Sequence, residues 1–243
     1  MTTDTTRPPA TMRAQVLLRE REVEIQERPV PVPDADQVLV RIESVGVCGS
    51  DVHYYRHGRI GDFVVDEPLV LGHESAGVIV AAGAHVDPAR IGRRVSIEPQ
   101  RCCRVCEYCK RGEYNLCPRI EFYATPPVDG CFSQYALIQD DFAHEIPDSV
   151  SFDAGALLEP LSVGIAAVRK ARVSVGDAVL VAGAGAAVIA LGIQISDIYV
   201  TAGGSAVVVL GTVLGLPALV TAIIGLIGRV SSGTRLPVLH LAT

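Results

Sequence analysis

Four cysteines packed into a short segment constrain this chain more than any other feature. Cys103, Cys106, Cys109 and Cys117 form a C-x2-C-x2-C-x7-C array within CRVCEYCKRGEYNLC. Thiolates converging from so short a stretch suit the closed tetrahedral site that structural Zn2+ prefers. Ordinary buried thiols would not be expected to repeat at x2 spacing and add a fourth at x7. Cys102 and Cys131 fall outside the array and are expected to be packing residues.

The chain carries seven cysteines, and its opening, MTTDTTRPPATMR, lacks the apolar stretch of a secretory leader. Reduced thiols and a cytoplasmic setting are therefore expected. A net charge of -6 from 21 basic and 27 acidic residues offers no basic stripe for phosphates, which excludes a nucleic-acid surface. At 243 residues the chain is long enough for one large domain or two modest ones.

Short alternating or β-branched runs recur at 14–18, 23–27, 38–45, 77–82, 94–98 and 132–138, punctuated by Gly, Pro, Asp and Asn. That number and spacing predicts a mainly β barrel or sandwich over residues 12–155. From Phe152 to Arg172 the spacing turns helical, with Leu157, Leu158, Leu161, Ile165 and Val168 apolar and Arg169, Lys170 and Arg172 near the end. Next, VGDAVLVAGAG reads as a buried strand entering a glycine turn. A second, incomplete α/β segment is expected over 156–243.

Two further motifs carry chemistry. In GVCGSDVHYY, Cys48 lies between Gly46 and Gly49, where the backbone can turn sharply and present a thiolate. In LGHESAGVIV, His73 and Glu74 sit between a glycine and a strand. One thiolate, one imidazole and one carboxylate make an incomplete shell, the arrangement of a catalytic Zn2+ that keeps a position open for water or substrate.

Together GVCGSDVHYY, LGHESAGVI, the four-cysteine array, ATPPVDG and LLEPLSVG resemble the zinc-dependent medium-chain alcohol dehydrogenases, in particular their sorbitol and xylitol (polyol) branch. The resemblance covers roughly residues 12–185. It implies a GroES-like catalytic domain followed by a Rossmann domain that binds NAD, with a catalytic and a structural zinc, and usually a homo-oligomer. It also implies Cys48, His73 and Glu74 as catalytic-zinc ligands, and Glu159 as the acid beside the metal-bound water or substrate. By the same resemblance Ser50 and His53 form a proton relay, Tyr54 lines the pocket of a polyol or alcohol substrate, and a secondary hydroxyl is oxidised by hydride transfer to NAD. The alternative reading of Glu159 is a cap for the helix that follows it.

The dinucleotide motif departs from the family. Gly183 and Gly185 match the first two glycines of G-x-G-x-x-G, but Val188 stands at the third. That glycine allows close helix-strand packing, and an acid about 20 residues on contacts the ribose. Here no Asp or Glu follows Asp197. Residues 178–196 and 198–228 are uncharged and meet the length criterion for membrane spans, in a chain of mean hydropathy +0.34. The tail reads first as a defective or divergent C-terminus, either a shortened Rossmann segment or a frameshift remnant with no selected fold, and second as a membrane hairpin. Two functions follow as expectations: an NAD-linked polyol dehydrogenase, or a noncatalytic zinc-binding module held at a membrane by its tail.

Overall fold

The computed structural model describes residues 8–174 together with 180–181 and 238–239. The chain divides into two compact units, Met1–Glu159 and Pro160–Thr243.

The first unit is built on antiparallel strands. In chain order they are β1 Thr11–Arg19, β2 Glu22–Pro29, β3 Gln37–Gly46, β4 Arg59–Ile60, β5 Phe63–Val64, β6 Leu69–Val70, β7 Glu74–Ala82, β8 Arg94–Ile97, β9 Gln100–Arg101, β10 Glu121–Phe122, β11 Tyr135–Gln139 and β12 Ala143–Glu145. The helices are α1 Gly49–His57, α2 Glu107–Lys110, α3 Phe152–Ala156 and α4 Leu158–Lys170, which runs past the end of the unit. A five-stranded sheet runs β11-β3-β7-β8-β12, and a three-stranded sheet runs β2-β1-β6.

Alternation explains the strands. In β1, Ala14 and Val16 point to one side and pack with Val70, while Leu17 points to the other and packs with Tyr54, Leu69 and Leu71. Strand β3 is flanked by β11 and β7, and Val38, Leu39 and Val40 are all at most 1% exposed. Its Val38 and Val40 join Ile79, Val95, Ile97, Ile138 and Phe142 in the main core. Each of the six expected runs contains a strand, but β11 begins at Tyr135 rather than at 132 and β8 ends at Ile97.

One local reading gains detail and one needs correction. The chain turns between Gly46 and Gly49, as expected, and leads directly into α1, where Asp51 at the third helical position accepts the backbone N–H of the N-cap residue Cys48 at 2.9 Å. The helix expected from Phe152 onward is broken at Leu157 into α3 and α4. Pro160 explains the break, since its ring conflicts with the carbonyl four residues earlier, at Ala156, where α3 ends.

In the second unit, Leu180–Val181 pairs in parallel with Val238–Leu239. Parallel pairing belongs to α/β sheets, so a mainly β unit is followed by a partial α/β segment. Gly183, Gly185 and Val188, and nearly all of the apolar stretches read as membrane spans, lie outside the described residues. Among the described residues, no helix is long and apolar enough to cross a membrane.

Candidate metal centres

The first donor set gathers where β3 ends and β7 begins. Gly46, the last residue of β3, pairs with Glu74, the first of β7. Cys48 follows two residues later, and His73 immediately precedes Glu74. The ligand atoms of Cys48, His73 and Glu74 all lie within 4.8 Å of one another. His73 and Glu74 are buried, and Cys48 is half-buried. A Cβ at Gly46 would run into the Glu74 carboxylate, so the absence of a side chain there makes room for the third donor.

Asp51, buried on α1, joins the two loops. Its Oδ2 accepts from Cys48 N at 2.9 Å and its Oδ1 from Gly72 N at 2.9 Å. Gly72, at φ 85, takes a turn that few side-chain-bearing residues tolerate. Residues 130–132 then pair their N–H groups with the carbonyls of 70–72, which fixes the loop carrying His73. The His73 ring meets Phe122 edge-on, with centroids 5.6 Å apart.

The electrostatics call for a cation. A hydrogen bond with His73 holds Cys48 below the usual thiol range against the effect of burial, and Ser50 assists. Burial alone would depress His73, yet Cys48, Asp51 and Glu159 raise it above the ordinary imidazole value. Burial lifts Glu159 above the usual carboxylate range; Glu74 and Asp51 add to this, and His73 opposes it. Three carboxylates and a thiol thus crowd one imidazole. His73 Nδ1 is buried without a hydrogen-bond partner, 3.7 Å from Asp51 Oδ1. A metal-bound imidazole commonly gives its second N–H to a carboxylate, and Asp51 is in place for it. The set fits Zn2+ chemically: one soft sulfur, one imidazole, one carboxylate and an open fourth direction.

The second donor set lies in the excursion between β9 and β10, which pair and close its base. The four Sγ atoms of Cys103, Cys106, Cys109 and Cys117 lie within 4.8 Å of one another. Cys106 and Cys109 are 3.4 Å apart, and Cys103 and Cys109 are 3.9 Å apart. Tetrahedral Zn–S bonds of about 2.3 Å imply S···S edges of about 3.8 Å, whereas a disulfide would need about 2.0 Å. All seven cysteines are free. Backbone N–H groups of Cys106 and Cys109 point at the sulfurs of Cys103 and Cys106, at 3.3 and 3.5 Å. Against burial, such N–H contacts hold Cys103 down at about 6. Arg104 pairs with Asp36 and Asp141 and ties the excursion to the main sheet. Cys102 and Cys131 are buried outside the array, and burial pushes the Cys131 thiol up to about 11.

The other expected site residues divide. Ser50 lies beside the Cys48 sulfur, and Glu159 is half-buried within the electrostatic reach of His73 and Glu74. His53 is exposed on α1. Tyr54 is packed as a core residue, 3% exposed among Leu17, Leu69, Leu71 and Ala124, with its hydroxyl on Thr125. Asp51 was missed by sequence reasoning; an acid three residues after a candidate ligand cysteine was the available signal.

A β-rich unit with an open Cys-His-Glu set and a closed four-cysteine set defines the catalytic lobe of a zinc-dependent dehydrogenase. Residues 34–148 match the family described as alcohol dehydrogenase GroES-like domain. Sorbitol dehydrogenase of Bacillus subtilis is 49% identical over 177 residues, covering 73% of this chain and 50% of the relative. A probable D-xylulose reductase A of Arthroderma otae is 49% identical over 166 residues, covering 68% of this chain and 47% of the relative. A short chain alcohol dehydrogenase from Escherichia coli, solved with NADH, superimposes with a TM-score of 0.69 at 32% identity, over 76% of this chain and 53% of that one. The chain belongs to the zinc-dependent medium-chain alcohol dehydrogenases, on their sorbitol and xylitol dehydrogenase branch. It spans about half the length of the curated relatives it matches.

Proposed function

We propose that this chain is the zinc-holding part of a dehydrogenase that oxidises a polyol or secondary alcohol with NAD as hydride acceptor, in a reducing, cytoplasmic setting. The observation that carries the reading is the convergence of Cys48, His73 and Glu74 with Glu159 beside them. Bound there, Zn2+ supplies the Lewis acidity that lowers a hydroxyl pKa. The three donors orient the ion and leave one direction open to substrate. Ser50 Oγ, next to Cys48, takes up the hydroxyl proton as it gives its own to His53. That imidazole, three residues on and on the same side of α1, releases a proton to water. Glu159, whose pKa burial raises above the usual carboxylate range, is the acid beside the substrate hydroxyl. Cys103, Cys106, Cys109 and Cys117 hold the second, structural Zn2+.

A second reading rests on the nucleotide motif: with Val188 in place of glycine and no acid after Asp197, the unit acts as a noncatalytic zinc module. Metal analysis with NAD titration and polyol-dependent NADH formation separates the two. Two zinc ions, saturable NAD binding and turnover support the dehydrogenase. Two zinc ions without NAD binding sink it for this chain.

A further inference from the structure

We propose that His53 and His57 form a surface site for a divalent transition-metal ion, separate from both donor sets above. The two residues lie four apart on α1, so their side chains leave the same face on adjacent turns. Their ring centroids are 4.6 Å apart with planes tilted by 48°. Both side chains are exposed, so rotation of the side chains alone brings one nitrogen from each ring onto a common ion. A histidine pair at i,i+4 on one helix face is the unit that helical zinc sites use. Imidazole donors select Cu2+, Ni2+ and Zn2+ over Mg2+ and Ca2+, with Cu2+ held most strongly.

The position on the helix favours a cation. His57 is the last residue of α1, and the chain turns away at Gly58 with φ 65. The pair therefore sits at the end where carbonyls without intrahelical partners carry the negative end of the helix dipole. Arg56, in the last turn, and Arg59, just beyond it, oppose a cation there, so the two imidazoles must supply the affinity. With two protein donors the ion keeps water in its remaining positions, so it exchanges freely, unlike an ion enclosed by four cysteines. An ion at this site also occupies the imidazole of His53, so metal loading and the proton path proposed above exclude one another. The site itself does not depend on that path.

The test uses untagged, zinc-loaded protein on a Ni2+-charged chelating column, eluted with imidazole, beside H53Q, H57Q and H85Q. The last alters a different exposed histidine. Wild type and H85Q should be retained together. H53Q and H57Q should each lose about tenfold or more in Ni2+ affinity, because the second imidazole binds intramolecularly. Cu2+ added below one equivalent should give an electron paramagnetic resonance spectrum with two coordinated imidazole nitrogens in wild type and not in either variant. Wild type that is not retained, variants retained as wild type, or a copper spectrum unchanged by both substitutions would overturn the proposal. Because both histidines are solvent-facing, circular dichroism and melting should match wild type.

Discussion

Gly46 stands opposite Glu74 across the β3–β7 ladder, and a side chain on Gly46 would occupy the space of the Glu74 carboxylate. The third donor of the open site thus depends on a missing methyl group on the neighbouring strand. Gly46→Ala should displace Glu74 and weaken metal binding there by about 10- to 100-fold, the effect of disturbing the surroundings of a ligand. The four-cysteine site, on a separate excursion, should keep its ion. Metal analysis after dialysis should fall from two zinc ions to one per chain; two retained ions would refute the dependence.

Asp51 serves two loops at once, so its loss should be felt as stability before chemistry. Asp51→Ala leaves the N–H groups of Cys48 and Gly72 without their acceptor. An unsatisfied buried donor costs about 1–3 kcal/mol, so the buried Gly72 N–H alone should cost that much, and the half-buried Cys48 N–H should add to it. Asp51→Asn retains an oxygen for one of them and should cost less. Urea unfolding of the zinc-loaded variants checks the order, and equal stability of D51A and wild type would contradict it.

The chemistry of this unit was legible where it is local in sequence. The four cysteines announce their site because their donors lie within one excursion, while β1 announces itself by alternation and β3 by its aliphatic run Val38–Val40. Helix α1 was obscured because its N-cap is Cys48 rather than the usual Ser, Thr, Asp or Asn. The role of Asp51 needs Gly72, 21 residues away, and the role of Gly46 needs the β3–β7 register. The Cys48–Asp51 spacing hints at the cap, but neither long-range relation can be read from the sequence. Tyr54 resembles a pocket residue in its motif, yet α1 turns it inward together with Asp51, its buried neighbour at i−3.

The four-cysteine excursion has little apolar core of its own. Cys117 is buried, while Val105, Tyr108 and Leu116 are exposed. Its fold therefore depends on metal-sulfur bonds, whose binding free energy is also folding free energy. Cys106→Ser, or zinc removal by a strong chelator, should expose amides 103–117 to hydrogen exchange while β3, β7 and β8 stay protected. It should also lower the melting temperature. Unchanged exchange in the excursion after the zinc has left would refute a structural ion.

A pH dependence should come from His144 and Glu98, paired at 2.8 Å between β12 and the end of β8. The hydrogen bond to Glu98 raises the His144 pKa above its ordinary 6.5, outweighing burial. Burial would raise Glu98, but the bond from His144 holds it below its ordinary 4.5. The histidine's contribution is complete below about 6.5 and is lost as pH rises through its raised value. That of the glutamate is complete above about 4.5 and is lost as pH falls through its lowered value. The pair thus stabilises most between these limits. Because the histidine side chain is 57% exposed, the effect should be modest, about 0.5 kcal/mol. His144→Gln should melt below wild type at mildly acidic pH and converge with it in alkaline buffer; a deficit that grows with pH would reverse the assignment.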